Sequence, residues 1–282
     1  MARTKYLEMF DPELATKLML QGKNQEQIGE ILGGIPKQRV SELFKHFGIK
    51  FIRRTMPIND AYFDEIDSED KAYLLGFLIA DGCIRAEKRK NGDTAYRICF
   101  SNSVDDKEAI ELLHKNICPE ATLSTDNQST ATVKRKDRYI LQWNSPHMVE
   151  TLMNKYKILP KKTYDTNFSI PEGVIPNDMW RHVVRGFFDG DGHCGKYEIS
   201  FIFTSVPFMN QILKFFEGFN IKTYAVKGKT MTYYKAVVHG GKKILSFTYN
   251  FFYKDSKYYL KRKYVQFNTE VSSEIAKGSE TP

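Results

Sequence analysis

The chain has 282 residues, enough for roughly two domains. With 41% hydrophobic and 27% charged residues, composition excludes wholesale disorder, and no apolar run approaches the ~20 residues of a membrane span. A formal net charge of +8 points to a polyanion partner such as nucleic acid. Met1–Phe10 lacks the apolar region of a signal peptide. Cys83, Cys99, Cys118 and Cys194 lie far apart without a C-x-x-C pair. They predict reduced thiols in a soluble, cytoplasmic protein rather than a zinc site or disulfide framework.

Residues 11–47 read as three short helices. Asp11-Pro12 supplies an N-cap acid and a proline at the first helical position. Leu14, Leu18 and Gln21 run along one face, and Gly22 stops the helix. Gln25–Leu32 is the second, with Ile28, Ile31 and Leu32 apolar, and Gly33-Gly34 makes the turn. Pro36 opens the third, with Val40, Leu43, Phe44 and Phe47 at helical spacing before Gly48. Two short helices joined by a glycine turn match a helix-turn-helix pattern. Lys37, Gln38, Arg39, Arg53 and Arg54 are its candidate DNA contacts.

The expected domains are 1–54 (helix-turn-helix), 55–69 (linker), 70–167 (first half), 168–268 (second half) and 269–282 (flexible tail). The linker reading rests on Pro57 and on Asp60–Asp70, which holds six acids and no base. Residues 222–267 hold eleven Lys/Arg against one acid, Asp255, together with many aromatics. The aromatics read as sheet core.

An internal duplication carries the chemistry. Residues 74–82, Leu-Leu-Gly-Phe-Leu-Ile-Ala-Asp-Gly, align with 184–192, Val-Arg-Gly-Phe-Phe-Asp-Gly-Asp-Gly. Each copy is followed by a strand-like run (Ala95–Ser101; Tyr197–Thr204) and a helix-like run (Lys107–Asn116; Phe208–Phe219). More strand-like sequence follows (Tyr139–Trp143; Tyr233–Val238), then helix-like runs ending at Lys161-Lys162 and Lys261-Arg262-Lys263. Gly76 and Ala80, like Gly186 and Gly190, make a small-residue stripe. A helical glycine costs about 1 kcal/mol against alanine, and close backbone approach of one helix to the other offsets it. The two motif helices are therefore expected to pack together, with Gly82 and Gly192 as left-handed caps.

Asp81 and Asp191 then stand at two negative helix ends, facing each other. Each is disfavoured by about 0.3–1 kcal/mol by the helix dipole, and like charges so close demand a cation. A hard divalent ion suits carboxylate oxygens with the helix-end carbonyls of Ala80 and Gly190. Such a site in a basic protein suits phosphodiester hydrolysis. Lys162 and Lys263 follow the two motifs at similar distances and are candidates to stabilise charge at the phosphate. The six histidines show no metal-ligand spacing, although His193 directly follows the second motif. No His-Asn-His nuclease pattern, phosphate-cradling loop or nucleophile elbow occurs.

At these residues the sequence resembles a LAGLIDADG homing endonuclease of the two-motif, single-chain kind, over about residues 70–267. The stretches Lys162-Thr163 and Tyr259–Tyr264 resemble the family's half-ends. The resemblance implies an α+β fold: two αββαββα halves about a pseudo-twofold axis, whose antiparallel sheets form a saddle over DNA. A small all-α N-terminal domain would add contacts to flanking DNA. The resemblance implies metal binding by Asp81 and Asp191. It also implies Mg2+-dependent double-strand cleavage with short 3′ overhangs, Mn2+ substituting and Ca2+ binding without cleavage. The protein would act as a monomer on double-stranded DNA with a long specific site. Two departures are Ile79 against Asp189 at the sixth motif position, and Arg185 where a small or apolar residue is usual.

Sheet-mediated readout would place alternate side chains in the major groove. The candidates are Arg85, Lys88, Arg89, Arg97, Lys134, Arg135 and Arg138 in the first half. In the second half they are Lys196, Lys227, Lys229, Lys235, Lys242 and Lys243. Two alternatives remain: an RNA maturase that aids intron splicing, and a non-catalytic DNA-binding regulator on the same fold.

Overall fold

The computed structural model describes residues 2–50, 57–127, 129–130 and 133–268, with side chains from residue 5. The chain divides into two compact units, Met1–Met56 and Pro57–Pro282. The described residues of the first unit form four helices, α1 (Ala2–Met9), α2 (Pro12–Leu20), α3 (Gln25–Ile31) and α4 (Lys37–His46); α1 was not anticipated. The Asp11 carboxylate caps α2 by accepting from the amides of Glu13 and Leu14. Asn24 and Gln27 form a capping box at α3. A Cβ on Gly29 would lie 2.0 Å from the Ile35 carbonyl oxygen, so glycine permits the tight α3–α4 turn. Phe10, Ala15, Leu18, Ile28, Val40, Leu43 and Phe44 form the core. Leu14 and Ile31, expected on apolar faces, are exposed beside the buried Ala15 and Leu32, and Phe47, just past α4, is exposed yet stacks on Phe10 with ring centres 5.5 Å apart. Arg53 and Arg54 lie outside the described residues, as does the expected tail.

The second unit contains α5 (Glu69–Asp81), β1 (Gly82–Lys88), β2 (Thr94–Ser103), α6 (Lys107–Ile117), β3 (Ser124–Asp126), β4 (Arg138–Trp143) and α7 (Pro146–Asn154). The same series repeats as α8 (Trp180–Asp191), β5 (Gly192–Cys194), β6 (Glu198–Phe203), α9 (Val206–Leu213), β7 (Asn220–Lys227), β8 (Thr232–His239) and α10 (Lys242–Thr248). Each half is αββαββα, with antiparallel sheets ordered β1-β2-β4-β3 and β5-β6-β8-β7. A π-helical turn, Tyr249–Tyr253, leads to a further helix, α11 (261–268).

Helices α5 and α8 form the centre. A Cβ on Gly76 would fall 2.0 Å from the Val183 carbonyl oxygen, and one on Gly186 would fall 2.0 Å from that of Tyr73. Only glycine fits at either place, and the contact is reciprocal. Leu74, Leu75 and Phe77 of α5, and Val183, Val184 and Phe188 of α8, are buried against the sheets and each other.

Four expectations change. Gly82 and Gly192 are extended (φ −79° and −90°), not left-handed. They are required because a Cβ would meet Leu78 or Phe188 of the preceding turn as the chain passes straight into a strand. The acidic 57–68 segment is not a solvated linker. Tyr62, Phe63 and Ile66 are buried, the Phe63 carbonyl accepts from Tyr156, and Asp64 binds His147 and Thr151. The lysine pairs do not end helices: Lys162 opens a 3-10 turn, and Lys261–Lys263 begin α11. The aromatics Phe247, Phe251 and Phe252 pack in the helical layer rather than the sheet.

Candidate active site

The packed helix pair brings two carboxylates to one place. Asp81 ends α5 and Asp191 ends α8. Between them the approach is closest at the small residues. A Cβ on Gly190 would lie 2.4 Å from the Ala80 Cβ and 3.1 Å from Oδ2 of Asp81. Asp81 is half-buried, while Asp191 reaches solvent.

The protein around Asp81 desolvates it, and the charge of Asp191 adds to the effect, pushing its pKa up to about 7. Lys162 and Arg262 pull the other way. The Asp191 carboxyl is also raised by the protein packed on its inner side, against Lys162 and Lys263.

Lys162 is delivered from the first half by a local device. Lys161 adopts a left-handed conformation (φ 60°), which turns the chain and starts the 3-10 turn at Lys162. Lys162 Nζ then donates to the Ala80 carbonyl at 3.0 Å. Burial lowers its pKa, while Asp191 and Asp81 raise it. Lys263 is almost fully buried; its Nζ donates to the Gly192 carbonyl and lies 4.9 Å from the centre of the Phe188 ring. Burial, followed by the charge of Arg262, lowers it to about 8. The two lysines are thus not equivalent: Lys162 binds the carbonyl that precedes Asp81, and Lys263 the one that follows Asp191. A cavity of about 270 Å³ opens beside Asp191 and Lys162, walled by Ile79, Phe187 and Phe203.

The donor set fits a hard cation. No cluster of three or more His, Cys, Asp or Glu side chains suited to a metal occurs among the described residues. Two carboxylates alone suit Mg2+, which keeps several waters and takes its remaining ligands from phosphate oxygens. The Ala80 carbonyl, an expected ligand, already accepts from Lys162 with one of its lone pairs. Gly190 contributes the close approach.

Strand register sorts the candidate DNA contacts. Ile84, Ile98, Phe100 and Leu141 are buried, so the opposite face of the first sheet carries Arg85 and Arg97, directly paired, together with Arg138 and Gln142. Arg97 Nη1 binds Gln142 at 3.2 Å. Lys88 falls on the other phase at the strand end, and Arg89, Lys134 and Arg135 lie in loops. In the second sheet the face opposite Phe201, Ala236 and Val238 carries Lys235, Lys222, Tyr224 and His193. Lys227 is on the other phase, Lys196 and Lys229 sit in turns, and Lys242 and Lys243 begin α10 rather than joining the sheet. Lys222, Gln142 and Tyr224 were missed; their face follows only from the pairing of β7 with β8 and of β4 with β2, which alternation within one strand does not supply. In the first unit Lys37 and Gln38 are exposed in the first turn of α4, where Arg39 pairs with Glu42.

No known family profile and no curated relative matches the chain. Among solved structures, the fold is similar to mesophilic variants of the homing endonuclease I-DmoI at 14% identity and a TM-score of 0.45, covering 67% of this chain and 98% of that one. It is also similar to I-SmaMI bound to uncleaved DNA target with calcium ions, at 12% identity and 0.45, covering 75% and 93%. A structure described as the I-SmaMI LAGLIDADG homing endonuclease bound to cleaved DNA matches at 12% and 0.45, covering 71% and 87%. All three are partial likenesses, low in identity and in superposition.

Proposed function

We propose that the chain is a site-specific DNA endonuclease of the LAGLIDADG type, cutting both strands of a duplex with divalent metal held at Asp81 and Asp191. The supporting observation is the pair of carboxylates delivered by abutting helix ends, with Asp81 pushed up to about 7. A protein that only bound DNA would gain nothing from enclosing two neighbouring carboxylates in this way, so the pair favours hydrolysis over a binding-only regulator.

Bound there, magnesium would supply Lewis acidity, a water activated at neutral pH and charge neutralisation. Asp81 and Asp191 are the residues that would hold it. Lys162, held by the Ala80 carbonyl beside both acids, is placed to stabilise charge on the phosphate or orient the attacking water. Lys263, held by the Gly192 carbonyl that follows Asp191, would serve the second acid from a different position. Arg85, Arg97, Arg138, Lys222 and Lys235 share the exposed sheet faces and would lie along the DNA, some reading bases and others touching phosphate. The 1–56 unit would add contacts outside the central site. Short 3′ overhangs and action as a monomer belong to the same proposal.

The test is selection of cleaved sites from a random duplex library with Mg2+, with Asp81→Asn and Asp191→Asn as controls. Cut sites of fixed sequence, lost in both variants, support the reading. Equal cutting by the variants, or no cutting at all, refutes it. Binding to intron RNA tighter than to the selected duplex at equal salt would favour the maturase alternative.

A further inference from the structure

Aligning the two motifs places Arg185 opposite Leu75 and Asp189 opposite Ile79. Both are fully buried. A buried charge is tolerated only when well bonded, and such pairs are weak sources of stability. The first copy does without them. What they hold is the segment leading to Lys263.

The Asp189 carboxylate accepts from the Leu260 amide at 2.8 Å, from Tyr253 Oη at 2.8 Å and from Tyr73 Oη at 3.0 Å. Arg185 donates to the Phe252 carbonyl at 2.9 Å and to Ser256 Oγ, and its other Nη reaches Glu69 Oε1 at 2.8 Å. That same Glu69 oxygen accepts from the amides of Lys257 at 2.7 Å and Tyr258 at 3.3 Å. Asp106, at the start of α6, takes Arg262 through Nε and through Nη2 at 2.9 Å. One residue later Lys263 reaches Gly192. Glu69 and Asp106 belong to the first half, so the second half's lysine is set partly by the first. Lys162 is set instead by the backbone turn at Lys161.

We propose that Glu69, Asp106 and Asp189 are positioning residues that clasp residues 252–262 and so hold Lys263 at the tip of α8 for phosphodiester cleavage. The proposal rests on the endonuclease reading above.

The test uses the full chain with Asp106→Asn and Glu69→Gln, each alone and combined with Lys263→Met. Glu69 is half-buried and Asp106 is buried at 6% exposure, against 0% for Asp189; thermal unfolding of each variant verifies that it folds before its rate is read. Three quantities are read: single-turnover cleavage, duplex affinity without divalent metal, and amide exchange of residues 252–267. Cleavage should fall about tenfold to a hundredfold, the scale of a 1 Å misplacement. Affinity should stay within about twofold, and exchange should quicken in this segment only. With Lys263→Met already present, the second substitution should cost less than about twofold more, because both act through one group. Asp106→Glu should restore part of the rate. Losses that multiply regardless of Lys263, or full rate with the segment opened, would overturn the proposal. A wild-type chain that cuts no duplex overturns the endonuclease reading and this role with it; quickened exchange in the variants would still show the clasp, so the two failures separate.

Discussion

Replacing Gly190 by alanine puts a methyl 2.4 Å from the Ala80 Cβ, where ordinary contact begins at 3.4 Å. The helix tips must then part by about 1 Å (3.4 less 2.4), next to Asp81 and Asp191. Overpacking costs roughly 1–3 kcal/mol, and the better helix propensity of alanine returns up to about 1 kcal/mol. Net destabilisation is therefore about 0–2 kcal/mol, a fall of up to roughly 8 °C in Tm for a unit of this size. Cleavage should suffer more, because 1 Å at the reacting centre costs up to about a hundredfold. The double variant Ala80→Gly/Gly190→Ala moves the methyl across the interface and removes the 2.4 Å contact, leaving one of 3.1 Å to Oδ2 of Asp81, the end of a side chain that can shift. It should recover most of the rate. The assay is single-turnover cleavage of the selected duplex alongside thermal unfolding. Unchanged cutting by Gly190→Ala, or failure of the double variant to rescue, would refute the close-packed tips as the basis of the site.

Further outcomes follow from the same geometry. Asp81 titrates near 7 in the folded chain against an ordinary 3.8, so the folded state keeps a proton that the unfolded chain has lost. Metal-free stability should therefore fall as pH rises from about 4 to about 7, and Asp81→Asn should flatten that slope in thermal scans with chelator. Magnesium should raise Tm at pH 8 more than at pH 5.5, since the cation competes with the proton. Lys222→Ala should weaken duplex binding and lower the slope of log affinity against log salt by about 1, as for a lost phosphate contact. An unchanged salt slope would remove Lys222 from the DNA face. Deleting residues 1–56 should weaken affinity but leave cutting at high protein concentration; complete loss would make the first unit more than an anchor.

The helix tips were readable because the constraint is local and doubled. Glycine at matched positions, followed by Asp-Gly, has few structural uses. The αββαββα order was readable from the repeated runs, although β3 (Ser124–Asp126) is short and polar and carries no signal of its own. The face of each sheet needed register, which depends on partner strands and not on any one segment. The 57–68 segment misled because six acids in Asp60–Asp70 masked Tyr62, Phe63 and Ile66, which decide its burial. The hold on Lys263 was hidden for another reason. Asp189 meets Leu260 across 71 residues and Glu69 meets Lys257 across 188, distances over which no periodicity speaks.

Anomalous diffraction from manganese in crystals of the DNA-bound protein addresses the metal directly. A peak within coordination distance of both Asp81 and Asp191 carboxylates is the predicted result. Manganese bound elsewhere, or no peak at the meeting point of α5 and α8 while DNA is in place, would contradict it.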